Sequence, residues 1–156
     1  MTSLMDAAIM YLSEKNYSEK ELRNKLEQEF GSLPELDKAV NSVITRLNEL
    51  EILNEKQLAI NIATHYSHKG DRFILRMLEQ KGIDSDLVKE AINSLLPEQF
   101  RAMDEVRGHF FSNSNKTPDD LCRFLAGRNF SSQTIELVLK QFMNYKNGKS
   151  LFKEVA

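Results

Sequence analysis

Ser18-Glu19-Lys20-Glu21-Leu22-Arg23-Asn24-Lys25-Leu26 is the stretch whose reading decides the fold. Ser18 and Glu21 have the spacing of a capping box: the hydroxyl accepts from the Glu21 amide while the Glu21 carboxylate reaches back to the Ser18 amide, so a helix begins here. Leu22, Leu26 and Phe30 recur every fourth residue on one face, Arg23, Lys25, Glu27 and Gln28 occupy the others, and Gly31 is a natural stop. Upstream, Leu4, Ala8, Tyr11 and Leu12 form a second apolar stripe, and after Pro34 the residues Leu36, Val40, Val43, Ile44 and Leu47 form a third. The residues predict helix, short turn, helix, short loop, helix.

The same grammar returns twice. Ser18, Leu22 and Leu26 are matched in spacing by Gly70, Ile74 and Leu78, then by Thr117, Leu121 and Leu125, at intervals of 52 and 47 residues. Val40/Val43/Ile44/Leu47 is likewise matched by Val88/Ala91/Ile92/Leu95 and by Ile135/Val138/Leu139/Phe142. Repeats define an architecture more strongly than any single helix. Thr117 before Pro118, and Ser131 or Ser132 before Ile135, supply further helix starts, and Gly82 a stop. Strand signals are nearly absent, since Val and Ile sit at helical spacing. The expectation is an all-α chain of three tandem three-helix repeats, residues 1–53, 54–97 and 98–146, followed by a tail of residues 147–156. Units this small have small cores and lean on their neighbours, which predicts an elongated, curved array.

Composition sets outer bounds. Apolar residues make up 41% of the 156-residue chain and charged residues 28%, a balance suited to packed cores and unlike disorder. No run approaches a membrane span and the first residues lack a secretory pattern, so the chain reads as cytoplasmic and monomeric, with no membrane contact. The single Cys122 can close no internal disulfide and reads as a small, partly buried hydrophobe. The net charge of −2 argues against a generic polyanion binder, yet it hides a gradient. Residues 1–53 carry ten acidic and six basic side chains, residues 54–97 six of each, and residues 98–156 seven acidic and nine basic.

The chemistry inventory points away from catalysis. The six glycines are scattered, and neither a phosphate-binding loop nor a dinucleotide fingerprint occurs. His65 and His68 lie one helical turn apart, but His109 is distant and no HExxH pattern surrounds them, so they read as ordinary helix histidines. Asp119-Asp120 sits in the first turn of a helix, where negative charge favours the dipole. Phe110-Phe111 reads as core or as an exposed aromatic anchor, Ser112 through Lys116 as a loop, and the tail after Asn147-Gly148 as mobile. No catalytic residue, metal or cofactor is expected. Basic residues give function a physical direction: Lys69, Arg72, Arg76 and Lys81 fall along the middle helix of the second repeat, Arg123 and Arg128 along that of the third. Arg72 and Arg76 share a face, where their mutual repulsion invites a partner anion.

Ser18-x-x-Glu21-Leu22-x-x-Lys25-Leu26, Lys69-Gly70, Ile74-x-x-x-Leu78-x-x-Lys81-Gly82-Ile83 and Arg123-Phe124-Leu125-x-x-Arg128-x-Phe130 resemble the RecX family of recombination regulators. The resemblance extends from about Tyr11 to Phe142, with Lys69 through Ile83 its most specific piece. The turn after Gly70 lacks the Gly-Pro pair common in that family, and Glu51-Ile52-Leu53-Asn54-Glu55 replaces its usual Gly and acidic pair. The resemblance implies tandem three-helix repeats and a partner, the RecA filament on single-stranded DNA, with weak direct DNA contact possible. It implies inhibition of the recombinase and co-protease activities of RecA, and hence modulation of DNA repair and the SOS response. The residues leave two alternatives open: a helix-turn-helix-like nucleic-acid module, or a generic helical-repeat scaffold.

Overall fold

The structure is a computed structural model that describes residues 3–110 and 116–146. The side chains of Phe110 and Phe111, the stretch Ser112 through Asn115 and the tail from Asn147 lie outside the described residues. The described elements are α1 (Leu4–Glu14), α2 (Glu19–Phe30), α3 (Leu36–Glu49), α4 (Glu55–His65), α5 (Asp71–Gln80), α6 (Ser85–Asn93), α7 (Glu98–Phe110), α8 (Pro118–Gly127) and α9 (Ser132–Lys146). The fold is all-α, and the order of short helices fits three successive trios. Caps start these helices where the sequence places them. Ser18 and Glu21 make both bonds of the capping box, and Thr117 and Asp120 make the same reciprocal pair ahead of Pro118. The Ser131 hydroxyl accepts from the Thr134 amide at 3.1 Å, starting α9.

By packing, the chain divides into two compact units. The first comprises the described residues up to Ile62 together with Met77–Ala91, and the second comprises Ala63–Arg76 together with the described residues from Ile92 onward. In the first, α1, α2 and α3 pack on one another around Ala8, Tyr11, Leu22, Leu26, Val40, Ile44 and Leu47. In the second, α7, α8 and α9 pack around Ala102, Val106, Leu121, Leu125, Phe130, Val138 and Phe142. The buried positions are those of the apolar stripes, so the 3.6-residue period is what selects each core.

Each unit contains the same junction. In the first, the Ser18 hydroxyl donates to the Lys81 carbonyl, and the Lys81 ammonium meets the Glu21 carboxylate at 2.8 Å. The chain then turns at Gly82 with φ of 79°, and a Cβ there would come within 2.3 Å of the Lys20 side chain. In the second, the Gly70 amide donates to the Arg128 carbonyl at 2.8 Å, and the chain turns at Asn129 with φ of 64°. Asn is among the few side chains that tolerate this left-handed conformation. Lys81 and Arg128 are separated by the same 47 residues as Gly70 and Thr117, so equivalent positions make equivalent contacts. Gly70 has no room for a side chain, because a Cβ would stand 1.8 Å from the Asn129 carbonyl oxygen.

Gly70→Ala is therefore expected to destabilise the protein by about 3 kcal/mol, the upper end for forced overpacking. Leu78→Ala, which empties a fully buried site, should cost about 2–5 kcal/mol. Urea unfolding checks both, as a lower midpoint at unchanged slope.

Candidate functional site on α5

The start of α5 is fixed by a carboxylate from α7. Glu98 Oε2 accepts from the Asp71 amide at 2.8 Å, and Oε1 accepts from the Ser131 amide at 2.8 Å, just ahead of α9. Orphan amides at two helix starts are thus satisfied by one side chain. Asp71 in turn pairs with Arg101, which is only 5% exposed. Arg101 also donates to the carbonyls of Leu96 at 2.8 Å, Ser67 at 3.0 Å and Lys69 at 2.6 Å, so its buried charge is surrounded by acceptors. Burial alone would raise both carboxyl pKa values. For Glu98 the amides of Ser131 and Asp71 outweigh burial and hold it below the usual carboxylate range. For Asp71, burial together with the Glu98 charge outweighs Arg101 and pushes it above that range.

The first unit repeats this arrangement imperfectly. Glu55, the first residue of α4, accepts from the Glu19 amide at the start of α2, but its Oε1 is buried without a hydrogen bond. Asp84 stands at the spacing that Ser131 occupies in the second unit, so a carboxylate replaces a hydroxyl. Burial, then the charges of Glu19 and Asp84, raise the Glu55 pKa.

The six basic residues singled out by sequence have different surroundings. Lys81, in the first unit, is matched by Glu21. In the second unit, Arg128 pairs with Glu105 and lies 4.5 Å from the Phe124 ring centre, while Arg123 pairs with Asp120 at 3.2 Å. Lys69 sits 5.1 Å from the centre of the Phe73 ring. Arg72 and Arg76 are exposed and have no ion-pair partner among the described residues. Arg72 also borders an open cleft of about 630 Å³, with Asp71, Glu98, Asn129, Ser131 and Ile135 among its other walls.

Sequence reasoning did not single out Arg101 or Glu98. The available signal was Arg101 lying beside the apolar register of Ala102, Met103 and Val106, which marks a charge drawn toward a core. Among the described residues no group of three His, Cys, Asp or Glu side chains could hold a metal ion, and no helix is long and apolar enough to cross a membrane.

The described residues form an all-helical protein whose candidate site lies on the exposed face of α5. Curated relatives named regulatory protein RecX are 36% identical over 90 residues in Bacillus subtilis and 33% identical over 90 residues in Bacillus velezensis. Each of these matches covers 56% of this chain, and the chain spans only about 33% of the length of either relative. The RecX of Prosthecochloris aestuarii is 27% identical over 148 residues, covering 89% of this chain and 93% of its own. The crystal structure of RecX from Lactobacillus salivarius matches 91% of this chain and 95% of its own with a TM-score of 0.73 at 20% identity, which is a likeness of fold. No family model matches the chain. The chain is thus similar in sequence to proteins named regulatory protein RecX and similar in fold to RecX of known structure.

The two capping glutamates should respond oppositely to neutralisation. Glu98 has a lowered pKa, so its contribution is present above the ordinary carboxylate value, about 4.3, and lost as pH falls through the folded value. Glu98→Gln should therefore cost about 1 kcal/mol near neutrality, allowing for partial exposure, and nearly nothing at strongly acid pH. Glu55 has a raised pKa, so its ionisation opposes folding as pH rises past that range; Glu55→Gln should stabilise near neutrality and be silent in acid. Thermal unfolding from about pH 3 to pH 7 checks the pair; shifts of one sign for both variants would refute the assignment.

Proposed function

We propose that this chain is a regulator that binds the RecA nucleoprotein filament and restrains its recombinase and co-protease activities, modulating DNA repair and the SOS response in the bacterial cytoplasm. The observation that carries the reading is the unmatched arginine pair. Of eight arginines, six meet a carboxylate among the described residues, and the two that do not are Arg72 and Arg76, one turn apart on α5. Two like charges at this spacing repel by a few tenths of a kcal/mol, which an acidic partner relieves. Lys69, Lys81, Arg123 and Arg128 add weaker contacts, their charges being partly engaged within the chain. On a filament, one regulator engages more than one protomer and affinity accumulates from modest contacts. The RecX name of the relatives and the absence of a phosphate loop in this sequence favour a binding regulator over an enzyme.

Substoichiometric protein should lower RecA-dependent ATP hydrolysis on single-stranded DNA while hydrolysing no ATP itself. The Arg72→Ala/Arg76→Ala variant should keep its melting temperature, since exposed changes stay within about 0.5 kcal/mol each. It should lose about 2–5 kcal/mol of filament binding and most of the inhibition. Full inhibition by that variant would remove α5 as the contact face, and tight, steeply salt-dependent binding to bare DNA would favour a nucleic-acid module instead.

A further inference from the structure

Between the two unmatched arginines α5 carries Leu75, a large apolar side chain that is 39% exposed. Arg72, Leu75 and Arg76 stand at i, i+3 and i+4 and therefore share one face, while Ile74 on the same helix is fully buried. We infer that these three residues are one contact element, and that it recognises an acidic protein surface on which an apolar side chain sits between two carboxylates. The inference rests on the reading above that α5 is the contact face, and it names the chemistry of the partner there.

Charge and polarity together select this occupant. Two guanidinium groups one turn apart match either carboxylates or phosphates, and both can be held bidentately. Leu75 breaks the tie, because a phosphodiester backbone offers an apolar side chain nothing, whereas a protein surface can bury it. Acid near the site points the same way: Asp71 and Glu98 wall the cleft that Arg72 borders, and their charge repels a polyanionic strand more than it repels a few discrete carboxylates. The leucine also changes what the arginines are worth. As it is covered, water leaves the space between the two guanidinium groups, and their pairs with partner carboxylates strengthen in the lower dielectric. Arginine is among the side chains enriched at energetic hot spots, and such spots are ringed by contacts that exclude water, the part Leu75 plays here.

The test titrates the full chain, isotopically labelled, with three probes while backbone amide signals are followed by nuclear magnetic resonance. The probes are a synthetic acidic helical peptide presenting Leu between two Glu, the same peptide with Ala for that Leu, and a single-stranded oligonucleotide. The first should shift the amides around Arg72, Leu75 and Arg76, and the other two should do so at least about tenfold more weakly. Equal shifts with the Ala peptide overturn the role of Leu75, equal shifts with the oligonucleotide overturn the protein class of the partner, and no shifts with the first peptide overturn the inference entirely. Leu75→Ala, with its melting temperature checked, is assayed in parallel for binding to RecA filaments and should bind about tenfold more weakly than wild type. Wild-type binding by Leu75→Ala alongside a weakened double arginine variant overturns the inference and leaves the contact face standing. Failure of the unaltered chain to bind filaments overturns the RecA reading, and the peptide titration then decides the inference on its own.

Discussion

Glu98 accepts from the amides of Asp71 and Ser131, and because both amides belong to helix starts, one carboxylate meets two positive dipole ends at once. The start of α5 depends on this contact in two ways. It fixes where the first turn begins, and with Gly70 seated against the Asn129 carbonyl it leaves the backbone little freedom to shift. Everything attributed to the face of α5 presupposes that this turn is held still, since Arg72 is the second residue of the helix.

Next to the exposed Arg72 in sequence stands an acid that is held elsewhere: Asp71 pairs with the buried Arg101. Arg101 cannot release it cheaply, because a buried guanidinium that loses its counter-ion keeps its desolvation cost. Elsewhere the chain neutralises its arginines locally, as in Arg46 with Glu49 and Arg107 with Asp104, each three residues apart.

Most of the fold was legible because helical period, caps and stops are local. Ser18-Glu21, Thr117-Asp120 and Gly82 act over three or four residues, and the stripes Leu22/Leu26 and Leu121/Leu125 are fully buried as their spacing requires. The exposure of Arg72 and Arg76 was legible for the same reason, opposite as they are to Ile74 and Leu78 on one short helix. What could not be read was long-range pairing. Nothing in the spacing of Glu98, Arg101 and Asp71 announces that residues about thirty apart share a hydrogen-bond network, nor that Lys81 and Arg128 find carboxylates while Arg72 finds none among the described residues. Repetition offered a partial route to such contacts: once the Ser18 and Lys81 contact is known, the equivalence of positions leads to Gly70 and Arg128, but not to the charge of Asp84, at the spacing of Ser131, that helps raise the Glu55 pKa.

The limits of the two compact units bear on how far this chain is divisible. They fall within α4, within α5 and within α6, not in the loops that separate one trio of helices from the next. Cutting after Leu53 would isolate the first three helices, yet it would strip Ser18 of the Lys81 carbonyl and the Glu19 amide of the Glu55 carboxylate, leaving the start of α2 with groups that only water could satisfy. Cutting within α5 would sever a helix and divide both units, since Met77–Ala91 packs with the residues up to Ile62 and Ala63–Arg76 with those from Ile92 onward. A chain whose sequence repeats are separable on paper is in this sense indivisible: the period of its sequence and the period of its cohesion are out of phase, so neither a repeat nor a unit can be removed whole.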